Sequence, residues 1–229
     1  MNYDLMIETF PRLLSGASLT IQLVVISLFI GFCLAVGLAQ LRLSSIPILR
    51  FFAKSYVFYF RGTPLLVQIF LIYYGIGQFE AIRESFLWIF FKEPYWCGIL
   101  ALTLNTCAYT SEIIRGGIQS VPYGQIESAR SIGMSGILLY RRIILPIALR
   151  QALPAYGNEM ILMVKASSLV STITLMEITG IAKLTIAKTF SPVEIFLAAG
   201  AIYLTINFII TRLVHYSEMK LTPYLQHGK

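Results

Sequence analysis

The chain has 229 residues, of which 57% are hydrophobic and 13% are charged, and its mean hydropathy is +0.74. Soluble domains carry about 25% charged residues, so the composition excludes an ordinary soluble protein and predicts an all-α integral membrane protein, a single unit over residues 1–229. The net charge of +7 would suit nucleic-acid binding in a soluble protein. In a membrane protein it indicates basic residues concentrated in cytoplasmic loops, so we expect a lipid membrane and no nucleic acid as partner.

The first apolar segment follows a short charged start. Residues 3–14 mix apolar and charged side chains, which predicts a short helix lying on the membrane surface. No charged residue occurs in the range 13–41. That stretch exceeds the roughly 20 residues needed to cross a bilayer, and we predict the first span over residues 19–41.

Two further spans are predicted next. Four basic residues without an acid follow the first span and indicate a cytoplasmic loop: Arg42, Arg50, Lys54 and Arg61. The second span covers residues 56–79, with Thr63 as a helix N-cap and Pro64 in the first turn. A loop in which acids match or outnumber bases comes after it and is expected outside. The third span covers residues 94–111.

The last part of the chain predicts two spans and an irregular segment between them. The fourth span covers residues 146–164 and the fifth covers residues 195–211. The Ser- and Thr-rich segment 165–194 is predicted to form a short re-entrant or gate-like helix and an external loop, because irregular backbone at membrane depth requires surrounding protein or a cavity. Bases follow the fifth span: Arg212, Lys220 and Lys229. Five spans then place the N-terminus outside and the C-terminus in the cytoplasm.

A polar and basic segment, residues 120–145, interrupts the apolar runs. Ser120 and Pro122 are typical of a helix start, Gly133 can adopt the left-handed backbone that ends a helix, and Gly136 permits a second break. Pro146 begins the next apolar run. We predict a short helix, a bend and another short helix, which can lodge in a groove of a soluble partner.

The spacing within this segment is specific. Glu127, Ala129, Gly133 and the run Ile143-Ile144-Leu145-Pro146 resemble the EAA loop of ABC-transporter membrane subunits. That loop reads Glu-Ala-Ala, three residues, Gly, nine residues, Ile-x-Leu-Pro. This chain has Ser128 where Ala is usual, and Ser is also small enough for close helix packing. The competing interpretation is an ordinary amphipathic loop.

The resemblance extends along the chain. The stretches FRGTPLLVQIF (residues 60–70), AYTSEIIRGGIQSVPYGQIESAR and KASSLVSTITLMEITG are similar to polar amino-acid ABC permeases. The best match is the histidine, lysine–arginine–ornithine and opine branch. The resemblance implies a type I ABC importer permease fold in a bacterial inner membrane, with a cytoplasmic coupling helix that carries Glu127, Ser128, Ala129 and Gly133.

The resemblance also implies partners. They are a dimer of ATP-binding subunits, a second permease subunit that is identical or homologous, and a periplasmic solute-binding protein. The sequence contains no Gly-x-x-x-x-Gly-Lys-Ser/Thr phosphate loop. We therefore expect no enzymatic activity, metal site or bound cofactor in this chain, with ATP and Mg²⁺ held by the partner subunit.

Five polar residues are candidates for the solute pathway: Glu159, Asn105, Ser167, Ser168 and Ser171. A carboxylate inside a membrane span is costly unless it faces protein or water, so Glu159 either pairs with a neighbouring subunit or faces the pathway. Asn105 either contacts solute or bonds a neighbouring helix. The three serines either cap helix ends or line the route.

Two other functions compete with the importer. A membrane hydrolase would need a nucleophile and a base within the membrane, but the two histidines, His215 and His227, lie near the C-terminus. An ion-coupled secondary transporter or channel usually has more spans and inverted repeats, and no repeat is visible here.

Overall fold

The computed structural model describes residues 3–221; Lys229 and His227, used in the predictions above, lie outside the described residues. The described part consists of helices joined by short turns and linkers, without a strand. Its α-helices are α1 Tyr3–Leu43, α2 Pro47–Gly62, α3 Leu65–Phe70, α4 Glu80–Arg83, α5 Trp88–Phe91, α6 Pro94–Gln119, α7 Tyr123–Ser131, α8 Gly136–Leu139, α9 Leu145–Ala166, α10 Ile178–Thr189 and α11 Pro192–Leu221.

The predicted surface helix over residues 3–14 is not a separate element. It is the first part of α1, which runs for 41 residues without interruption. Leu13 and Ala17 of α1 are buried against Ile178 and Ile195 of the C-terminal helices. Packing against α10 and α11 therefore holds the start of the chain in line with the first span.

The predicted second helix over residues 56–79 is broken. α2 ends at Gly62, α3 begins at Leu65 and continues through a π turn and a 3-10 turn to Gln78, and the two parts meet at 105°. Thr63 is extended (φ −111°, ψ 145°) and Pro64, rather than Thr63, occupies the N-cap position of α3. A residue before proline is driven out of the helical region, which explains why the bend falls here.

Helix α6 is the centre of the bundle. It packs against α1 along much of its length and also against α9 and α2, and 67% of its most apolar window is buried, against 22% for α11. Close approach depends on small residues: a side chain at Gly31 of α1 would collide with Thr106 of α6. The helix runs eight residues past the predicted end of the third span. Glu112 lies inside it because Arg42 of α1 pairs with that carboxylate at 2.8 Å.

The segment after α6 differs from its prediction in two ways. Ser120 donates to the carbonyl of Gly117 at 2.8 Å and so closes α6, while Pro122 takes the N-cap position of α7. α8 continues through a π turn (Tyr140–Ile144) into α9, so the predicted second short helix and fourth span form one helix of about 46 Å. Pro146 lies within this helix and does not begin it.

Residues 167–189 form the predicted irregular element. A 3-10 turn (Ser167–Ile173) ends at Thr174, whose φ of +70° is left-handed, and α10 follows at 50° to the preceding helix. Three helices, α1, α6 and α11, are long and apolar enough to cross a membrane, and the two bent pairs bring the candidate spans to five. The predicted all-helical membrane fold is confirmed.

Candidate functional site

Helix α7 carries the predicted coupling residues. Glu127 and Ser128 are exposed, whereas Ala129 is buried. Two bonds close the helix: the Met134 N–H donates to the Ala129 carbonyl at 3.0 Å, and the Gly133 N–H donates to the Arg130 carbonyl at 2.9 Å. This pair defines a Schellman motif, which requires the left-handed backbone of Gly133 (φ +85°). The predicted turn at Gly133 is therefore confirmed.

A cleft of about 450 Å³ lies between α7 and the start of α9. Its walls include Ser128 and Ala129 on one side and Arg142 and Arg150 on the other. The apolar side chain of Ile132, which also lines the cleft, is 73% exposed, and that of Ile137 in α8 is 85% exposed. Exposed apolar groups beside a concave surface are typical of protein interaction sites. The two arginines favour a partner that is partly acidic.

A carboxylate lies at the centre of the bundle. Glu159 of α9 is 5% exposed, and its Oε1 accepts a hydrogen bond of 2.9 Å from Thr106. Thr106 is the midpoint of the 26-residue helix α6, so Glu159 lies at mid-depth of the helix most suited to cross the bilayer. A carboxylate can accept about four hydrogen bonds. The bond from Thr106 leaves the second oxygen able to accept from a cation.

Asn105 belongs to a different polar cluster. Its Nδ2 donates to Gln68 Oε1 at 3.0 Å and to the Phe60 carbonyl at 3.3 Å. These contacts join α6 to the break between α2 and α3. One turn further along α6, the guanidinium of Arg61 lies 5.1 Å from the ring centre of Tyr109, within the range of a cation–π contact. The structure thus brings Asn105 close to the Arg61 end of α2. Arg61 therefore lies on a helix packed against α6 and not in the predicted loop.

The three candidate serines act on the backbone at the end of α9. Ser167, Ser168 and Ser171 donate to the carbonyls of Val164, Lys165 and Ser168 at 2.7, 2.6 and 2.7 Å. Ser171 also accepts from Lys183 Nζ at 2.8 Å. These bonds satisfy carbonyls that a helix end leaves free. They match the helix-capping interpretation of the serines.

No metal site is formed in residues 3–221, where no three His, Cys, Asp or Glu side chains converge.

Residues 27–223 match the family described as the inner membrane component of binding-protein-dependent transport systems. The chain belongs to this family. It is an inner membrane component, a permease subunit, of a binding-protein-dependent transport system.

Several curated permeases are similar over nearly the whole chain. The nopaline transport system permease of Agrobacterium fabrum is 56% identical, with 99% of this chain and 94% of that protein covered. The octopine transport system permease of Rhizobium meliloti is 57% identical, with 94% and 88% covered. The histidine/lysine/arginine/ornithine transport system permease of Escherichia coli K12 is 43% identical, with 94% and 90% covered.

Solved structures agree on the fold. An amino acid ABC transporter crystallised with histidines has a TM-score of 0.86 and 34% identity, with 96% of this permease and 99% of that chain covered. The methionine transporter MetNI in an inward-facing form has a TM-score of 0.78 at 16% identity, with 94% and 98% covered. The predicted type I importer permease fold is confirmed, and the secondary-transporter and hydrolase alternatives are not supported.

The roles of two carboxylates of the permease, Glu177 and Glu112, were missed by sequence reasoning. Glu177 is fully buried and caps α10: it accepts from the N–H groups of Thr179 and Gly180 at 2.9 and 2.8 Å and from the Tyr203 hydroxyl at 2.7 Å. Glu112 joins Arg42 and Arg115, each at 2.8 Å. An acid within an apolar stretch is a signal that could have identified both residues.

Proposed function

We propose that this permease forms the membrane pathway of an ATP-driven importer for a polar, cationic amino acid or an opine. The observation that carries the proposal is the buried Glu159, held by Thr106 at mid-depth of the bundle. Lysine and arginine side chains are cations at neutral pH, and a desolvated carboxylate attracts such groups far more strongly than it would in water. The relatives named for nopaline, octopine and basic amino acids support the same class of solute.

Arg61 complements this charge. Its guanidinium projects over Tyr109 from the end of α2, and a cleft of about 340 Å³ adjoins it. Guanidinium groups bind carboxylates in a two-pronged geometry. We assign Arg61 to the carboxylate that amino acids and opines share, and Glu159 to the cationic end of the solute.

The proposed assembly contains two permease subunits, identical or homologous, two ATP-binding subunits and a periplasmic solute-binding protein. Membership in a binding-protein-dependent transport family supports the ATP-binding subunits and the solute-binding protein as partners. ATP and Mg²⁺ belong to the ATP-binding subunits, in line with the lack of a phosphate loop in this sequence. This chain then holds no cofactor of its own.

Coupling takes place through α7. The exposed face with Glu127 and Ser128, together with the adjacent cleft, docks in a groove of the ATP-binding subunit. α7 is tied at one end to α6 and at the other, through Gly133, to the long α8–α9 helix. Closure of the ATP-binding dimer therefore moves both helices as rigid bodies, a common route to alternating access.

The orientation follows from charge. The basic segment that includes Arg130, Arg141 and Arg142 lies in the cytoplasm, where ATP-binding subunits are found, so the N-terminus is periplasmic and the C-terminus cytoplasmic. The positive-inside rule supports this assignment.

The decisive experiment is uptake into proteoliposomes that contain the permease, its ATP-binding partner and the cognate binding protein. Radiolabelled octopine, arginine and histidine are offered in parallel with glutamate, whose side chain is anionic. We expect ATP-dependent uptake of at least one cationic solute and none of glutamate. Uptake of glutamate alone, or uptake without ATP, contradicts the proposal.

A further inference from the structure

The break between α2 and α3 exposes backbone carbonyls inside an apolar protein. The last carbonyls of a helix lack intrahelical partners, and a buried one without a partner is destabilising. Here Gln68 supplies the partner. Its Nε2 lies 2.9 Å from the Phe60 carbonyl, 3.1 Å from the Thr63 carbonyl and 2.8 Å from Thr63 Oγ1. The Gln68 side chain is 2% exposed.

These carbonyls determine which way both amides point. A carbonyl oxygen only accepts hydrogen bonds, so the atom of Gln68 that faces Phe60 and Thr63 must be nitrogen. Its Oε1 is then turned to Asn105, whose Nδ2 lies at 3.0 Å, and the same Nδ2 also lies 3.3 Å from the Phe60 carbonyl. Both amide groups are therefore oriented by backbone, without the usual ambiguity between oxygen and nitrogen.

This orientation leaves the Asn105 side chain with one available hydrogen-bonding atom, the acceptor Oδ1. Both of its N–H donors are occupied, whereas its Oδ1 is bound by none of the described residues. Among residues 3–221, the fully buried side-chain atoms without a hydrogen-bond partner do not include Oδ1. Oδ1 therefore remains accessible from the space beside α6. The next residue, Thr106, holds Glu159. The middle of α6 thus offers hydrogen-bond acceptors.

We propose that Gln68 is a positioning residue for solute selection: it holds Asn105 so that only the acceptor oxygen faces the pathway, which favours solutes rich in N–H donors. The inference rests on the proposed function, because it assumes that the space beside Asn105 belongs to the pathway. A site that accepts from a cation strongly discriminates against a solute lacking that cation, since buried polar groups are then left unpaired.

The test compares binding of radiolabelled arginine and of citrulline, its uncharged isostere, to the purified complex of permease and ATP-binding subunits. Gln68→Met removes the amide at similar length. We expect the arginine affinity to fall about tenfold, equivalent to about 1.4 kcal/mol, and the citrulline affinity to change less than about twofold. An equal loss for both solutes overturns the inference and makes Gln68 a brace of the helix break alone.

A double-mutant cycle tests whether Gln68 acts through Asn105. In an Asn105→Ala background, Gln68→Met is expected to change the arginine affinity less than about twofold, because the group it orients is absent. A full additional tenfold loss there contradicts the positioning role.

A second variant covers the case in which Gln68→Met does not reach the membrane. Asn105→Ala removes the acceptor oxygen itself, so the preference for arginine over citrulline is expected to fall about tenfold. An unchanged preference in this variant overturns the inference. Saturable citrulline binding without arginine binding in the wild-type complex also overturns it. Failure of ATP-dependent uptake of any cationic solute in the proteoliposome assay, by contrast, removes the proposed function itself.

Discussion

Replacing Glu159 by Gln changes the charge at the centre of the bundle and little else. The Gln side chain has the same size, and its carbonyl oxygen can still accept the 2.9 Å bond from Thr106. Since the side chain is 5% exposed, the variant also avoids burying an ionised group. We therefore expect normal membrane levels and an unchanged or slightly higher melting temperature, because replacing a costly buried charge is often neutral or stabilising.

The effect on transport depends on the charge of the solute. A hydrogen bond to a charged group contributes about 1.5–3 kcal/mol, so losing the carboxylate should weaken arginine binding by about 10- to 150-fold. A neutral solute loses no ion pair, and we expect its affinity to change less than about twofold. Arginine and glutamine uptake at saturating binding protein, measured in one proteoliposome preparation with ATP hydrolysis in parallel, gives the comparison.

Two controls sharpen this experiment. Glu84→Gln removes the same charge from an exposed position and should leave both solutes unaffected. Thr106→Val removes the donor to Glu159 without changing the net charge, and should lower arginine uptake less than Glu159→Gln does. An equal loss of arginine and glutamine uptake in Glu159→Gln would refute the reasoning and assign the carboxylate to a structural pair with the neighbouring subunit.

Three further predictions concern coupling, topology and stability. Gly133→Asp adds a side chain at a left-handed residue (φ +85°), which costs about 1 kcal/mol or more, and it places a carboxylate at the negative end of the α7 dipole. Substrate-stimulated ATP hydrolysis should be lost while membrane levels persist, whereas Gly133→Asn, which adopts the same backbone without the charge, should retain it; unchanged transport in the Asp variant argues against docking through α7. A cysteine introduced at Gln125 should resist impermeant thiol reagents in intact cells and one at Arg83 should react; the reverse pattern contradicts the proposed orientation. Glu177→Ala removes the cap of α10 and one of the two hydrogen bonds of the Tyr203 hydroxyl, which keeps its bond to Thr179 Oγ1. Thermal unfolding of the purified complex should therefore show a loss of about 2 kcal/mol, with a smaller loss for Glu177→Gln; equal melting temperatures for both variants and the wild type rule out this stabilising role.

Much of the coupling segment could be predicted from sequence because its determinants are local. Only a residue without a Cβ adopts a left-handed backbone at low cost, so Gly133 alone indicates where α7 ends, and the Schellman bonds follow from that conformation. The continuity of α8 with α9 could not be predicted. The break predicted at Gly136 is present, with a left-handed φ of +53° at the start of α8. The break expected at Pro146 is absent, because a π turn at Tyr140–Ile144 joins α8 and α9 into one helix.

The predicted second span shows what a local reading of the sequence does not reveal. Mean hydropathy is averaged over a window and carries no information on the direction of the chain. Residues 56–79 are therefore predicted as one apolar helix, although the chain bends by 105° at Pro64. Bending becomes tolerable only because Gln68 and Asn105 reach the carbonyls that the break leaves free. Asn105 lies 37 residues from Gln68, and such a pairing has no signature in either local sequence.

The sequence by itself determined the membrane class, the number of candidate spans and the coupling turn, because the cost of exposing charge to lipid and the conformational freedom of glycine act residue by residue. Only the tertiary structure decided which polar groups meet. Glu159 is held by Thr106, 53 residues away, and Glu177 joins Tyr203 at a distance of 26 residues. These contacts depend on how α6, α9, α10 and α11 pack, and packing is a property of all the helices together.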